Sequence, residues 1–312
     1  GDVTADEVLG NIEAMSWAVE TLAERKTIRA EGLLEVHRRL LAGTRLAEHA
    51  GKLRSEQNWI GGSNYNPCAA SFVPPPPEEV EALIDDLCTF CNDDSLPAIA
   101  QAAIVHAQFE TIHPFIDGNG RTGRALIHVV LRRRGLAERV LPPISLILAT
   151  WSADYVSGLT ATRYRGATAS RPAHDGLNRW IALFASAARR AVSDAGAFET
   201  RVAKIEAKWR TGVGRIRADS ATDRLLRALP GVPIVTVTGA SDLVGRSFQQ
   251  TNQAIARLVD AQVLKQVTVG RRNRAFEAAE IVDAFSDLER RLASPTGDTR
   301  SSAPARTVPR RR

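Results

Sequence analysis

The chain is poor in cross-linking residues and in the long apolar runs that span membranes. Three cysteines occur in 312 residues, an odd number too small for a disulfide framework and one that fits a reducing compartment. Cys88-Thr-Phe-Cys91 has the CxxC spacing, but no second pair follows to complete a zinc site. The two share a helical periodicity with Val80, Leu83, Ile84 and Leu87, which makes them buried structural thiols. No apolar run reaches the ~18 residues of a membrane helix, and no charged-then-apolar secretory leader opens the chain. The expectation is a cytoplasmic protein with no membrane partner. Aromatic residues are few, 5%, while the apolar fraction of 44% is ordinary for a soluble globular protein.

What is abundant is arginine. The net charge is +6, and much of the excess lies late, at Arg271, Arg272, Arg274, Arg290, Arg291, Arg300, Arg306 and Arg310 to Arg312. A basic C-terminal part fits either nucleic acid or a solvated surface with a disordered tail.

The pattern is mostly helical. Apolar spacing of three and four predicts helices at 6–25, 30–42, 77–92, 97–112, 121–134, 152–163 and 175–208. Gly43 and Gly135 act as stops, and Pro77 suits a first turn. Residues 50–77 break the pattern with Gly51, Gly61, Gly62, Asn64, Asn66 and Pro74 to Pro77, and 57–65 reads as a short hairpin turning at the glycines. The texture changes near 212. A helix at 222–229 and a β-rich piece at 232–237 precede a helix–turn–helix at 241–260, with Ser247 as N-cap. Strands at 263–269 and 274–278 then flank Gly270-Arg-Arg-Asn273, an order that looks like a winged helix.

The chemistry concentrates in His113-Pro-Phe-Ile-Asp-Gly-Asn-Gly-Arg-Thr-Gly-Arg124. A loop leaves one helix, turns through Gly118-Asn-Gly120 and enters the next at Arg121. Glycines at such a junction let successive N–H groups face one concavity, beside the positive end of a helix, which suits phosphates. Arg121 and Arg124, three apart on the first turn, can both reach the same anion. Asp117 beside a polyphosphate is a natural Mg²⁺ ligand, and His113 is the nearby base that works near neutral pH. Together they describe phosphoryl or nucleotidyl transfer, with the histidine as general base or as direct nucleophile.

Position by position the string resembles the signature of the Fic family, His-x-Phe-x-Asp/Glu-Gly-Asn-Gly-Arg-x-x-Arg. The resemblance covers about residues 1–200 and favours the general-base role. It implies that His113 deprotonates a Ser, Thr or Tyr hydroxyl of a target protein, that Asp117 holds Mg²⁺, and that AMP is transferred from ATP while pyrophosphate leaves. The nucleotide-binding set it implies is Phe115, Asp117, Gly118, Asn119, Gly120, Arg121, Thr122, Gly123 and Arg124. Tyr155 sits where relatives place an aromatic against adenine. Asn58, Trp59, Ile60, Gly61 and Gly62 look like the flap that docks an extended target segment by strand addition. His106, Phe109 and Glu110 resemble the family's lead-in, as core and second layer.

The implied architecture is a mostly α, Fic-type helical bundle with a small β-hairpin flap, followed by a C-terminal winged helix-turn-helix domain. Helices at 1–50 pack on a catalytic core at 51–200 with its flap at 56–66. A helical linker at 201–218 leads to a winged-helix-like domain at 219–286 and a disordered basic tail at 287–312. Many relatives are restrained by a Ser/Thr-x-x-x-Glu-Gly/Asn helix whose Glu pairs with the last signature arginine. Thr27-Ile-Arg-Ala-Glu31-Gly32 matches literally but opens a structural helix, so the inhibitory segment is expected to be absent from residues 1–312. The alternatives are a phosphotransferase or a de-AMPylase of the same family, or a DNA-binding regulator acting through the winged helix. Gly120 and Arg121, both intact, favour AMP over phosphate. For DNA the candidates are Gln249, Gln250, Asn252, Arg271, Arg272 and Arg274. A second copy of the chain, as a homodimer, is a further candidate partner.

Overall fold

The computed structural model describes residues 3–63, 65–137, 141–267 and 274–308, with side chains from residue 7 onward. They divide into two units, residues 1–189 and 190–312. In the first unit, α1 (Val3–Trp17) runs on as a π-helical turn, Ala18–Leu22. After it come α2 (Ala30–Leu41), α3 (Pro77–Cys91), α4 (Ala98–Ile112) and α5 (Asn119–Arg133). Next are α6 (Ile144–Thr150), α7 (Ser152–Thr162) and the start of α8 (Arg171–Val213).

α4 and α5 pack on each other at the centre. α4 is Ala-rich and apolar on nearly every side, as a helix surrounded by others must be. Its buried Gln101 donates to the carbonyls of Phe90 (3.0 Å) and Asp93 (2.7 Å), so it satisfies the C-terminal end of α3 from inside the core. Gly123 lets α5 approach closely: a Cβ there would lie 2.8 Å from Glu110 Oε1 and 3.0 Å from Phe109. Trp180 of α8, fully buried, donates its indole N–H to the Ala103 carbonyl at 2.7 Å. Among the described residues no helix is long and apolar enough to cross a membrane.

The second unit contains the remainder of α8, α9 (Ala221–Ala228), β1 (Ile234–Thr236), α10 (Val237–Val244) and α11 (Phe248–Asp260). β2 (Lys265–Gln266), β3 (Ala275–Glu277) and α12 (Ala279–Ala293) complete it. Three hydroxyls cap helices: Ser220 on α9, Thr236 on α10 and Ser247 on α11. The sheet is antiparallel in the order β1-β3-β2, with Val235 opposite Phe276 and Lys265 opposite Glu277. Its core holds Trp209, Leu225, Leu229, Ile255, Leu258, Phe276 and Ile281.

Several boundaries differ from expectation. Residues 201–213, read as linker, are the end of α8, and their Ile205, Trp209 and Val213 belong to the second unit's core. α12 runs across residue 287, where disorder was expected. Leu292 and Ala293 are buried, and Arg291 meets the buried Asp194 at 2.8 Å. Beyond it the Arg190 guanidinium donates to the carbonyls of Arg291, Ser294 and Pro295. α6 was not anticipated, because a seven-residue apolar run after Pro142-Pro143 has no period to read. Gly270, Arg271 and Arg272 of the expected hairpin turn lie outside the described residues.

Candidate active site

α4 ends because His113 takes a left-handed conformation (φ 48°) and Pro114 follows, a residue pair that cannot prolong a helix. A non-glycine residue held there costs on the order of 1 kcal/mol, which the surroundings must impose. α5 begins after Gly118 (φ 77°), whose backbone favours glycine. Between them the loop is held from within. Asn119 accepts from the Phe115 N–H (2.9 Å) and donates to the Phe115 carbonyl (2.7 Å). The Phe115 ring is fully buried and stacks on His37 with centroids 3.7 Å apart. His37 Nδ1 accepts the Gly51 N–H (3.0 Å), so its proton sits on Nε2, which donates to the Asp117 carbonyl at 3.0 Å. Phe115 therefore acts inside the loop, away from any ligand surface.

The buried Arg54 fastens the loop from the other side. Its guanidinium donates to the carbonyls of His113 (2.9 Å), Glu56 (3.1 Å), Ile112 and Pro75, and its own N–H bonds the Pro114 carbonyl at 2.9 Å. Asn58 adds a bond to the Phe115 carbonyl at 3.1 Å. The flap follows directly, but it is not a tight hairpin. Ile60 pairs with Phe72 in an isolated bridge, Ile60 N–H to Phe72 O at 2.9 Å, so the chain returns over about ten residues instead of turning at the glycines. Gly61 and Gly62 have φ near 75° and pass so close to Ser71 and Ala69 that a Cβ at 62 would lie 2.5 Å from the Ala69 carbonyl oxygen. Trp59 donates its indole N–H to the Ser63 carbonyl at 2.7 Å.

Toward the nest the groups are open. The first N–H groups of α5, at Asn119, Gly120 and Arg121, lie outside intrahelical bonding, which begins with Thr122 N–H to Gly118 O at 2.9 Å. Asp117 accepts from the Gly118 N–H (2.6 Å) and meets Arg121 at 3.2 Å, its carboxylate half-exposed. Arg124 folds back over Gly120, where a Cβ would lie 3.0 Å from its Nη1. Thr122 and Gly123 are turned into the core and do not face the nest. Among the described residues no cluster of three or more His, Cys, Asp or Glu could hold a metal alone. A single exposed carboxylate beside an anion nest still fits Mg²⁺ brought in with a polyphosphate.

Burial pushes His113 down to about 4, with the Arg54 and Arg163 charges adding to the fall and the Glu110 carbonyl and Asp117 opposing it. The ring is neutral near pH 7, and its Nδ1 is shut off from solvent without a hydrogen-bond partner. Glu110, one turn earlier, is buried with Oε1 unpartnered. Burial raises it to about 7 against the pull of Arg124 and Arg163. Tyr155 is tied to the core: its hydroxyl donates to His106 Nε2 (3.1 Å), whose Nδ1–H faces the Gly123 carbonyl at 3.3 Å, and its ring lies against Trp180. Arg163 links flap to helix, its guanidinium 3.6 Å from the Phe72 ring and its Nε donating to Thr111 Oγ1 at 3.3 Å.

His37, Arg54 and Arg163 were not foreseen. Glu31 lines a hollow with Asp85 and Cys88 of α3 and with Asn92 just after it, whereas Arg124 lines another with Asn11, Met15 and Val36. Gly32 beside it is a packing glycine against Leu22. Cys88 and Cys91 are free and buried, Cys88 pushed up to about 12 by burial. In the second unit Gln249 and Gln250 are exposed on α11, while Asn252 and Arg274 are paired with each other at 2.8 Å. Arg271 and Arg272 lie outside the described residues.

Residues 27–131 match the model of the Fic/DOC family. Over 142 residues the chain is 35% identical to the protein adenylyltransferase fic-1 of Caenorhabditis briggsae, covering 44% of this chain and 26% of that protein. It is 34% identical over 140 residues to the protein adenylyltransferase Fic of Drosophila willistoni, with the same coverage. The chain thus spans about a quarter of the length of these curated relatives. A Fic family protein from Desulfovibrio desulfuricans G20 has a similar fold, with a TM-score of 0.51 at 18% identity over 89% of this chain and 76% of that one. The segment that matches the Fic/DOC family, residues 27–131, contains the whole of the His113–Arg124 loop.

Proposed function

We propose that the protein transfers AMP from ATP to a hydroxyl of a target protein. The observation that carries this is the juxtaposition, within one helix–loop–helix, of a neutral histidine and an anion nest with unpaired N–H groups. With a proton on Nδ1, the ring nitrogen closed off from solvent, Nε2 keeps the lone pair. It takes the proton of the target hydroxyl as that oxygen attacks the α-phosphorus. A new P–O bond forms, the bond to the β-phosphate breaks, and pyrophosphate leaves with the electron pair. The polyanion beside His113 favours the imidazolium, so its basicity rises when nucleotide is present. The N–H groups of α5, Arg121 and Arg124 stabilise the negative charge, and Arg54 and His37 keep the loop in place. Asp117 would hold Mg²⁺, which supplies charge neutralisation on the phosphates. Gly120, which makes room for Arg124, supports AMP as the group transferred. The flap at Asn58 to Gly62 would dock an extended target segment by its backbone.

The second unit we infer to be winged-helix-like. The order α9-β1-α10-α11-β2-β3, with β3 between β1 and β2, supports this.

Incubating the chain with ATP labelled at either the α- or the γ-phosphate, in lysate with Mg²⁺, tests the activity. Label from the α position should appear on protein with the parent and vanish with His113→Ala. Equal labelling by both chains, or transfer of the γ label alone, overturns it.

A further inference from the structure

We propose that the exposed face of α11 reads the major groove of duplex DNA, with Arg217, Arg246 and Arg257 meeting the phosphate backbone beside it. The proposal rests on the winged-helix reading of the second unit and is independent of the chemistry at His113.

Charge separates the two units. Residues 190–312 contain 22 basic against 13 acidic residues, a net of +9, while residues 1–189 contain 19 against 22, a net of −3. Such asymmetry points to a polyanionic partner for the second unit alone. α11 offers that partner a polar surface. It follows α10 through a sharp turn at Gly245 (φ 60°), and its inner residues Thr251, Ala254, Ile255 and Leu258 are buried. Phe248, Gln249, Gln250 and Gln253 all face outward. A glutamine amide can donate to and accept from the same adenine edge, and an exposed aromatic ring can cover a thymine methyl. The major groove of B-form DNA admits a helix, whereas that of A-form RNA is too narrow. The aromatic of the small sheet, Phe276, is buried, so the sheet gives no stacking platform for single strands.

One flank of α11 supplies the cations. Arg217, Arg246, Gln250, Gln253 and Arg257 line one hollow. Arg217 has no carboxylate partner among the described residues, and Arg257 donates to two backbone carbonyls, of Val213 (3.0 Å) and Arg215 (2.7 Å), so neither charge is neutralised. Arg246 shares Asp219 with Arg224 and, at 4.0 Å, with Arg227, three cations to one carboxylate. Asp242 lines a neighbouring hollow with Gly245, Arg246, Ser247 and Gln250, and would repel phosphate there. The backbone therefore tracks the Arg217–Arg257 side.

The test uses the full chain. Duplexes selected from a random pool of about 20 base pairs are titrated by fluorescence anisotropy at several salt concentrations, beginning near 50 mM. Binding should weaken with salt with a slope of about −3 for three phosphate contacts. Arg217→Ala should lower that slope by about one for every sequence, whereas Gln250→Ala should leave the slope and cost about tenfold only on the selected sequence. Both positions are exposed, so unchanged thermal melting confirms the fold. No selected duplex, or binding indifferent to both variants, overturns the proposal, as does retention of single-stranded RNA or protein alone. His113→Ala should bind DNA like the parent, so loss of labelling and loss of DNA binding are separate outcomes.

Discussion

Arg54 shows how much one buried side chain can organise. It reaches four carbonyls on both chain segments that meet at His113, so it sets the histidine's backbone without touching substrate. Replacing it with Gln removes the charge and most of the donors and leaves buried carbonyls unpaired, a cost of about 3 kcal/mol. Labelling should fall further than the lost stability explains when assayed well below the melting temperature. Arg54→Lys should not rescue it, since one ammonium cannot span four acceptors; full activity of the lysine variant would refute the clamp. Glu110 makes a second case. Its folded value, about 7, lies above the ordinary carboxylate value of 4.5. The folded state thus holds its proton more tightly, and the stability this gives is lost as pH rises from 4.5 through 7. Glu110→Gln, which mimics the neutral acid, should be more stable than the parent by about 2 kcal/mol at pH 8, with the gap closing toward pH 5 in denaturant melts. A gap that does not change with pH would show that the carboxyl is not protonated there.

Helices decide where these residues stand, and glycines decide how close helices come. A Cβ on Gly176 of α8 would lie 2.0 Å from the Ala161 carbonyl at the end of α7, just before Arg163. Gly176→Ala should cost about 3 kcal/mol and lower labelling by shifting Arg163. Gly196, on the same helix, has open space where a Cβ would stand, with nothing within 4 Å, so Gly196→Ala should instead stabilise by about 0.5–1 kcal/mol. Thermal melts of the two variants should move in opposite directions. The long periodic helices α2, α3, α4, α5 and α11 were legible in the sequence because each repeats an apolar face or is capped by Gly, Pro or Ser. The flap was not: Gly61-Gly62 signals a tight turn, yet the pairing of Ile60 with Phe72 is a long-range contact no local rule predicts. The same limit applies to the site. The loop at 113–124 is contiguous and could be read as chemistry, but His37, Arg54 and Arg163 arrive from 50 to 80 positions away. An isolated His on a helix, or an Arg in a turn-rich strip, looks like surface until the fold buries it.

At the scale of the whole molecule, histidine divides the chain. All six histidines lie in residues 1–189 and none in 190–312. Four of them, His37, His106, His113 and His128, are pushed down to about 4, in each case chiefly by burial. Their folded values lie below the unfolded 6.5, so the unfolded chain binds more protons between these limits. The stability they contribute is whole above pH 6.5 and is lost as pH falls toward 4. One unit realised at each ring amounts to about 5 kcal/mol in all. Glu110 works in the other direction over part of this range, as one group against four. The second unit's shifted carboxylates, Asp219, Asp223, Glu280 and Asp298, are all lowered, so their contribution is lost only below the ordinary carboxylate values, near 4. Acidification from pH 7.5 to 5 should therefore loosen the first unit and spare the second. Hydrogen exchange, corrected for intrinsic rates, should show α4 and α5 losing protection while α9 and α11 keep theirs. Equal loss in both units would mean that the buried histidines do not govern the acid response.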